Sequence, residues 1–278
     1  MFCSKRMHRR LLLMTTIALF AVLAPGAVKT GETSETETVG LAARGLNLVG
    51  DAQWVDDWLR INLADMDRCG AAWNDEKVAV QGGFSTRFRF LISEPGGMQH
   101  PTEGTDGADG FAFVIQNHAA DAIGLAYSNM GYGWMPNCIA VEFDTWLNGG
   151  GGGGDFGEPD GHHVSVNTAG PYPNQTHHLY SLGCVSTPTI VDYLEHEVII
   201  QYEPGTLRIY LDDPSNPILV LPIDIGAVLD LDEGRAWLGF TGATGMAWEY
   251  HDILDWTIDD SPVAMTVTTF GGLKSMFR

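Results

Sequence analysis

Short stretches in which apolar and polar residues alternate with period two recur along this chain, and they restrict its fold more than any other feature. In Phe84–Ile92, the residues Phe84, Phe88, Phe90 and Ile92 fall on one face, while Ser85, Arg87 and Arg89 fall on the other. Gly110–Gln116 repeats the pattern with Phe111, Phe113 and Ile115 in phase, and Ile139–Trp146, His196–Tyr202, Thr206–Asp212, Ala236–Thr241 and His251–Ile258 follow. Successive strand side chains point to opposite faces, so each segment predicts a strand with one side against a core. Glu203-Pro204-Gly205, between two of these segments, is a hairpin signal. No long segment carries a 3.6-residue period. The expected fold is therefore all-β, an antiparallel β-sandwich of two stacked sheets, with a barrel as the alternative.

The ends of the 278-residue chain read differently. Lys5, Arg6, Arg9 and Arg10 precede the apolar run Leu11–Ala24, and Pro25-Gly26-Ala27 supplies small residues for cleavage. That order predicts a signal peptide over residues 1–27 and a secreted protein, extracellular or periplasmic; the run is short for a membrane span. Residues 28–40 are polar and aperiodic and read as a flexible spacer. A single domain is expected over residues 41–260, a size that all-β sandwiches reach as one unit. Residues 261–278 form a tail without a clear pattern. No later run suggests membrane insertion.

A net charge of −20 lacks the basic footprint that phosphate backbones require, which argues against a nucleic-acid partner. Beyond the leader, Cys69, Cys138 and Cys184 allow one disulfide and one leftover thiol, and no CxxC pair exists.

The stretch Ile139–Asn167, IAVEFDTWLNGGGGGGDFGEPDGHHVSVN, carries the chemistry. On a strand, Ile139, Val141 and Phe143 point one way while Glu142, Asp144 and Trp146 point the other. Burying two carboxylates on one face is costly unless something positive sits between them, and lysines and arginines are few. The following loop is built on a run of glycines, Gly149–Gly154, which cannot hold a strand. It brings Asn148, several acids and His162-His163. Carboxylate, amide and carbonyl oxygens suit Ca²⁺, and a neighbouring histidine nitrogen suits Mn²⁺ or a similar transition ion. Solvated acids and histidines on a glycine-rich loop are the plainer reading of the same residues.

VEFDTWLN followed by EPDGHHVSVN resembles the metal-binding segment of the legume-type (L-type) lectins, the concanavalin A relatives. Three further pieces are similar in the same order: Ala108–Phe113 (ADGFAF), Gly239–Gly245 (GFTGATG) and His251–Trp256 (HDILDW). Weaker similarity begins at Leu48–Ala52, so the resemblance covers about residues 45 to 258. It implies the concanavalin A-like jelly roll and a carbohydrate-binding protein whose partners are glycans or glycoconjugates. It leaves a homodimer through sheet edges open.

The resemblance also implies roles. Glu142 and Asp144 bind metal, with Asp144 bridging Ca²⁺ and the transition ion. Trp146 gives its backbone carbonyl to Ca²⁺ and its ring to the sugar. Asn148 binds Ca²⁺ and donates to a sugar hydroxyl. The next ligand is an Asp-Pro in the family and Glu158-Pro159 here, a departure that leaves Asp155 and Asp160 open as substitutes. The ligand histidine maps to His163 rather than His162, because His163 directly precedes the V-S-V pattern. Asp109, after a cis Ala108–Asp109 peptide, is implied as a sugar acceptor. Gly131 and Gly133 fit the loop whose backbone approaches the sugar, and Met246 and Ala247 the loop that sets monosaccharide preference.

Two other readings compete. Laminarinase-type glycoside hydrolases share the sandwich and carry ExDxxE or ExDxE on one strand. Here the third acid position is Trp146 or Leu147, so the second catalytic carboxyl of a retaining pair is missing and an enzyme is not expected. The glycine run and Glu158 instead suit a structural or adhesive domain that has lost sugar binding.

Overall fold

The computed structural model describes residues 45–102, 107–149 and 156–261, all within the unit Thr38–Arg278. The predicted leader, the spacer, Asp155, most of the glycine run and the tail beyond Ser261 lie outside the described residues.

Among the described residues fifteen strands form: β1 (Leu46–Gly50), β2 (Gln53–Val55), β3 (Trp58–Asn62), β4 (Cys69–Asn74), β5 (Val78–Ala79), β6 (Phe84–Gly97), β7 (Gly110–Gln116), β8 (Cys138–Asp144), β9 (His163–Thr168), β10 (Ser181–Ser186), β11 (Glu195–Glu203), β12 (Thr206–Leu211), β13 (Leu219–Leu221), β14 (Arg235–Ala243) and β15 (Ala247–Asp259). One sheet runs β1-β4-β14-β7-β8-β9-β10, with β5 attached to β14, and the other runs β13-β12-β11-β6-β15-β3-β2. Every pairing is antiparallel. Among the described residues both sheets keep open edges, so the fold is the expected sandwich and not the barrel. All seven alternating segments are strands, and Glu203-Pro204-Gly205 lies at the β11–β12 hairpin.

The core lies between the sheets. Phe111, Phe113, Val141, Phe143, Val164, Val166 and Phe240 face Phe84, Phe88, Phe90, Val198, Ile200 and Trp256. Phe88 sits at its centre, with ring contacts to Phe111, Phe113, Phe143 and Phe240 at centroid separations of 6.4, 6.0, 5.9 and 5.0 Å.

The first sheet is also covered on its outer side. Ala71, Trp73, Ala112, Val114, Cys138 and Ala140 pack there under Met130, Tyr132 and Met135 from the 117–137 connection. That second layer explains why β7 and β8 are buried at every position. β11, covered on one face only, alternates as an exposed sandwich strand should. Cys69, Cys138 and Cys184 are all free, so the disulfide that their number allowed does not form.

Candidate functional site

The outer face of β8 and β9 carries the polar row. In the pairing register Asp144 lies opposite His163, Glu142 opposite Ser165 and Ala140 opposite Asn167. Their strand neighbours Val141, Phe143, Val164 and Val166 point into the core. The predicted separation of faces therefore holds, although the strand ends at Asp144 and Trp146 lies beyond it.

Glu142 is buried and accepts from three side chains: the Tyr132 hydroxyl, the Ser165 hydroxyl and the Asn167 amide, the last at 3.0 Å. Burial nevertheless pushes its carboxyl up to about 7, against the pull of the two hydroxyls. Asp144 accepts from the Trp146 N–H at 2.8 Å. Its carboxyl is held well above the ordinary range, first by burial and then by the charges of Glu158 and Glu142. Glu158 accepts from the Asn148 N–H, which closes the loop on itself and brings this carboxylate to Asp144. Asp160 turns its carboxylate to the His162 N–H at 3.1 Å and its carbonyl to His163 Nδ1 at 3.0 Å. Between Glu158 and Asp160, Glu158 is the one whose charge bears on Asp144.

His163 is fully buried, and its other nitrogen, Nε2, lies 3.1 Å from Nε2 of His178. Burial, with His178 adding to it, pushes His163 down to about 4, and burial lowers His178 as well. Both rings are neutral near pH 7 and have lone pairs to offer. Glu142, His163 and His178 bring ligand atoms within 4.8 Å of one another. His178 is absent from the sequence reading. It enters from the loop after β9, and its sole trace in the sequence is a second His-His pair just before β10. Ser165 and Asn167 were in principle readable, since they share the phase of His163 in HVSVN.

A cavity of about 900 Å³ opens beside this row. Asp109, Trp146, Asn148, Met246 and Ala247 line it, together with Tyr127, His100 and Phe156. Trp146 is only 8% exposed, and its ring meets that of His100 edge-on at 4.8 Å. Met246, at 59% exposure, marks the open side. Gly131 and Gly133 are not among the lining residues. Their N–H groups bond to the carbonyls of Leu125 at 2.9 Å and Asn129 at 2.9 Å, and their loop presents Tyr127 and Ser128 to the cavity instead.

The Ala108–Asp109 peptide is cis. Gly110 follows with φ +113°, and a Cβ there would lie 2.3 Å from the Phe143 carbonyl, so only glycine lets the loop approach β8 this closely. Asp109 Oδ2 is buried without a hydrogen-bond partner. Burial first, and the neighbouring Glu249 charge second, push its carboxyl up to about 8.

These residues fit divalent ions. Among the described residues no lysine or arginine acts on Glu142, Asp144 or Asp109, and burial disfavours their charged forms in every case. Bound cations would reverse that cost. The oxygens of Asp144, Asn148 and Glu158 and the carbonyl of Trp146 are a hard-ion donor set. The imidazoles beside Glu142 suit a transition ion.

The site is thus an apolar-walled cavity on a two-sheet sandwich, beside a carboxylate–histidine row whose Glu142 and Asp144 do not themselves line it. Residues 41–269 match the legume lectin domain model, and the chain belongs to that family of non-catalytic carbohydrate-binding domains. Among similar proteins are the seed lectin of Styphnolobium japonicum, 27% identical over 66% of this chain and 59% of its own length, and the L-type lectin-domain containing receptor kinase I.10 of Arabidopsis thaliana, described as putative in its name, 26% identical over 58% and 28%. The chain thus spans less than two thirds of the length of these relatives. Its fold superposes on the crystal structure of basic winged bean lectin with Tn-antigen at a TM-score of 0.59, with 24% identity over 77% of this chain and 91% of that one. The Ca²⁺- and mannose-bound VIP36 exoplasmic/lumenal domain superposes at 0.60, with 16% identity over 80% and 85%.

Proposed function

We propose that the chain is a secreted lectin that binds a glycan in the cavity beside Asp109, with Ca²⁺ and a transition ion organising the loop between β8 and β9. The observation that carries this reading is the buried, unpartnered Asp109 Oδ2 at the cavity. A buried carboxylate oxygen with no donor is unfavourable, and a sugar hydroxyl is the donor that such a cavity admits. Asn148 supplies an amide on the other side, and Trp146 an aromatic ring. Met246 on the open side and the buried Ala247 line the cavity without hydrogen-bonding side chains, so they act through shape on whichever sugar enters.

The ions act on geometry. Asp144, Asn148 and Glu158 would hold Ca²⁺ with the Trp146 carbonyl, and Glu142, Asp144 and His163 the transition ion. Each ion offsets the repulsion among buried carboxylates and so fixes Asn148 and Trp146 toward the cavity. The Leu11–Ala24 run, the seed lectin among the relatives and the exoplasmic/lumenal domain among the structural neighbours support export.

The test is a glycan array probed with Ca²⁺ and Mn²⁺ present and again after chelation, with Asp109→Ala in parallel. Binding that chelation removes, and that Asp109→Ala lacks while staying folded, is the expected result. Undiminished binding by Asp109→Ala would sink the site. Absence of binding by the folded, metal-loaded chain favours a domain that has lost sugar recognition.

A further inference from the structure

The row on β8 and β9 meets a histidine that belongs to none of the motifs read from the sequence. We propose that His178 is a direct ligand of the transition ion beside Glu142, Asp144 and His163, giving a centre with two imidazoles that favours Zn²⁺ or Co²⁺ over Mn²⁺. This deepens the metal-organised site proposed above and rests on it.

The geometry is that of converging ligands. Glu142, His163 and His178 each place a ligand atom within 4.8 Å of the other two. The two Nε2 atoms stand 3.1 Å apart. An ion at the usual Zn–N distance of about 2.0–2.1 Å from both would see them at roughly 100°, between octahedral and tetrahedral angles. The rings are inclined at 77°, so they converge from different directions and do not stack. His163 is oriented from behind by the Asp160 carbonyl, which occupies Nδ1 and leaves Nε2 toward His178. Metal-binding imidazoles are commonly held through their second nitrogen in this way.

His178 is fixed by its backbone. Its N–H bonds to the Phe156 carbonyl at 2.8 Å, and its own carbonyl accepts from the backbone N–H of Ser181 at the end of the short 3-10 turn His178–Tyr180. The preceding His177 caps that turn by accepting from the Leu179 N–H at 3.1 Å.

The donor set decides the preference. Imidazole nitrogen suits zinc, cobalt and nickel, whereas Mn²⁺ sites lean on oxygen and water. Exchanging a water for a second imidazole raises zinc affinity more than manganese affinity. A hydrogen bond between the two imidazoles produces the same separation, and the experiment separates the two cases.

The full chain, stripped of metal, is titrated with Zn²⁺ and with Mn²⁺ against a chromophoric chelator, as wild type, His178→Ala and His163→Ala. His178→Ala is expected to lose about tenfold or more in zinc affinity, the scale on which even outer-sphere partners act. It should lose less for manganese, which narrows the preference. Unchanged zinc affinity in His178→Ala beside a loss in His163→Ala would overturn the ligand role while leaving the metal site standing. Unchanged affinity in both variants would remove the metal site itself and this inference with it. X-ray absorption on the zinc-loaded wild type decides even where a variant fails to fold. Two imidazoles per ion support the proposal, and one overturns it.

Discussion

Asp109 has a carboxylate oxygen out of water with no donor at hand, a state that costs roughly 2–7 kcal/mol for a polar group depending on the reference. Such a residue weakens the empty domain and rewards a ligand that supplies the donor. The space in front of it depends on Gly245, where a Cβ would stand 3.4 Å from Asp109 Oδ2 and 3.0 Å from the Tyr127 ring. Gly245→Val is therefore expected to fill the approach and weaken glycan binding by about tenfold or more, equivalent to ~1.4 kcal/mol. Titration of the same glycan by calorimetry checks this, with the unfolding midpoint as control; full affinity with an unaltered midpoint would place the sugar elsewhere. At this scale the sequence was partly transparent. Glu142 and Asp144 had to share a face because strand geometry allows nothing else, and the face proved to be the outer one. His178 was opaque, because a loop brings it across from fifteen residues beyond His163 and no periodicity encodes that approach.

Among the elements, β6 and β11 were readable because each is buried on one face and wet on the other. β4 was not. Its CGAAWN is small and apolar, and five of its six positions are buried, because the 117–137 connection covers the side that would otherwise face solvent. Covered on both sides, a strand loses the alternation by which it is recognised. β2, β5 and β13 span only two or three residues, too few to show a period. The core strands carry a separate expectation. Phe88 on β6 meets four phenylalanine rings from β7, β8 and β14 across the sandwich. Phe88→Ala should destabilise the domain by about 3–5 kcal/mol through lost burial and the cavity left behind. Denaturant unfolding with an unchanged slope and a lowered midpoint is the expected reading; a loss below about 1 kcal/mol would mean that the facing rings collapse to fill the space.

For the molecule as a whole, the buried carboxyls of Glu142 and Asp109 make stability depend on pH in a definite direction. Glu142 and Asp109 are raised to about 7 and about 8, with burial the leading cause in each, whereas in an unfolded chain such groups titrate near pH 4. The folded state therefore holds protons that the unfolded state has released. The contribution to stability is complete below about pH 4 and is lost as pH rises through 7 to 8. In chelator, the unfolding temperature is expected to fall by several degrees between pH 5 and pH 8. Saturating Ca²⁺ with a transition ion should flatten the part of that fall that comes from Glu142, because the cations take over the role of its proton, and should leave the part from Asp109 in place. Equal slopes with and without metal would show that the ions do not sit beside Glu142.

Asn148, Phe156 and His178 serve both neighbourhoods at once. Asn148 and Phe156 line the cavity, the Asn148 carbonyl accepts from the Phe156 N–H at 3.3 Å, and the Phe156 carbonyl accepts from the N–H of His178 at 2.8 Å. If an ion and a sugar bind as proposed, both engage this stretch of backbone, and their binding is expected to be coupled. Thermodynamic reciprocity then requires that whatever factor the ion adds to the affinity for sugar, the sugar adds to the affinity for the ion. A sugar that tightens the protein tenfold on metal loading must slow the escape of metal or hasten its capture to the same overall extent. On a glycan-covered surface, this chain would hold its ions at concentrations too low to load it in free solution.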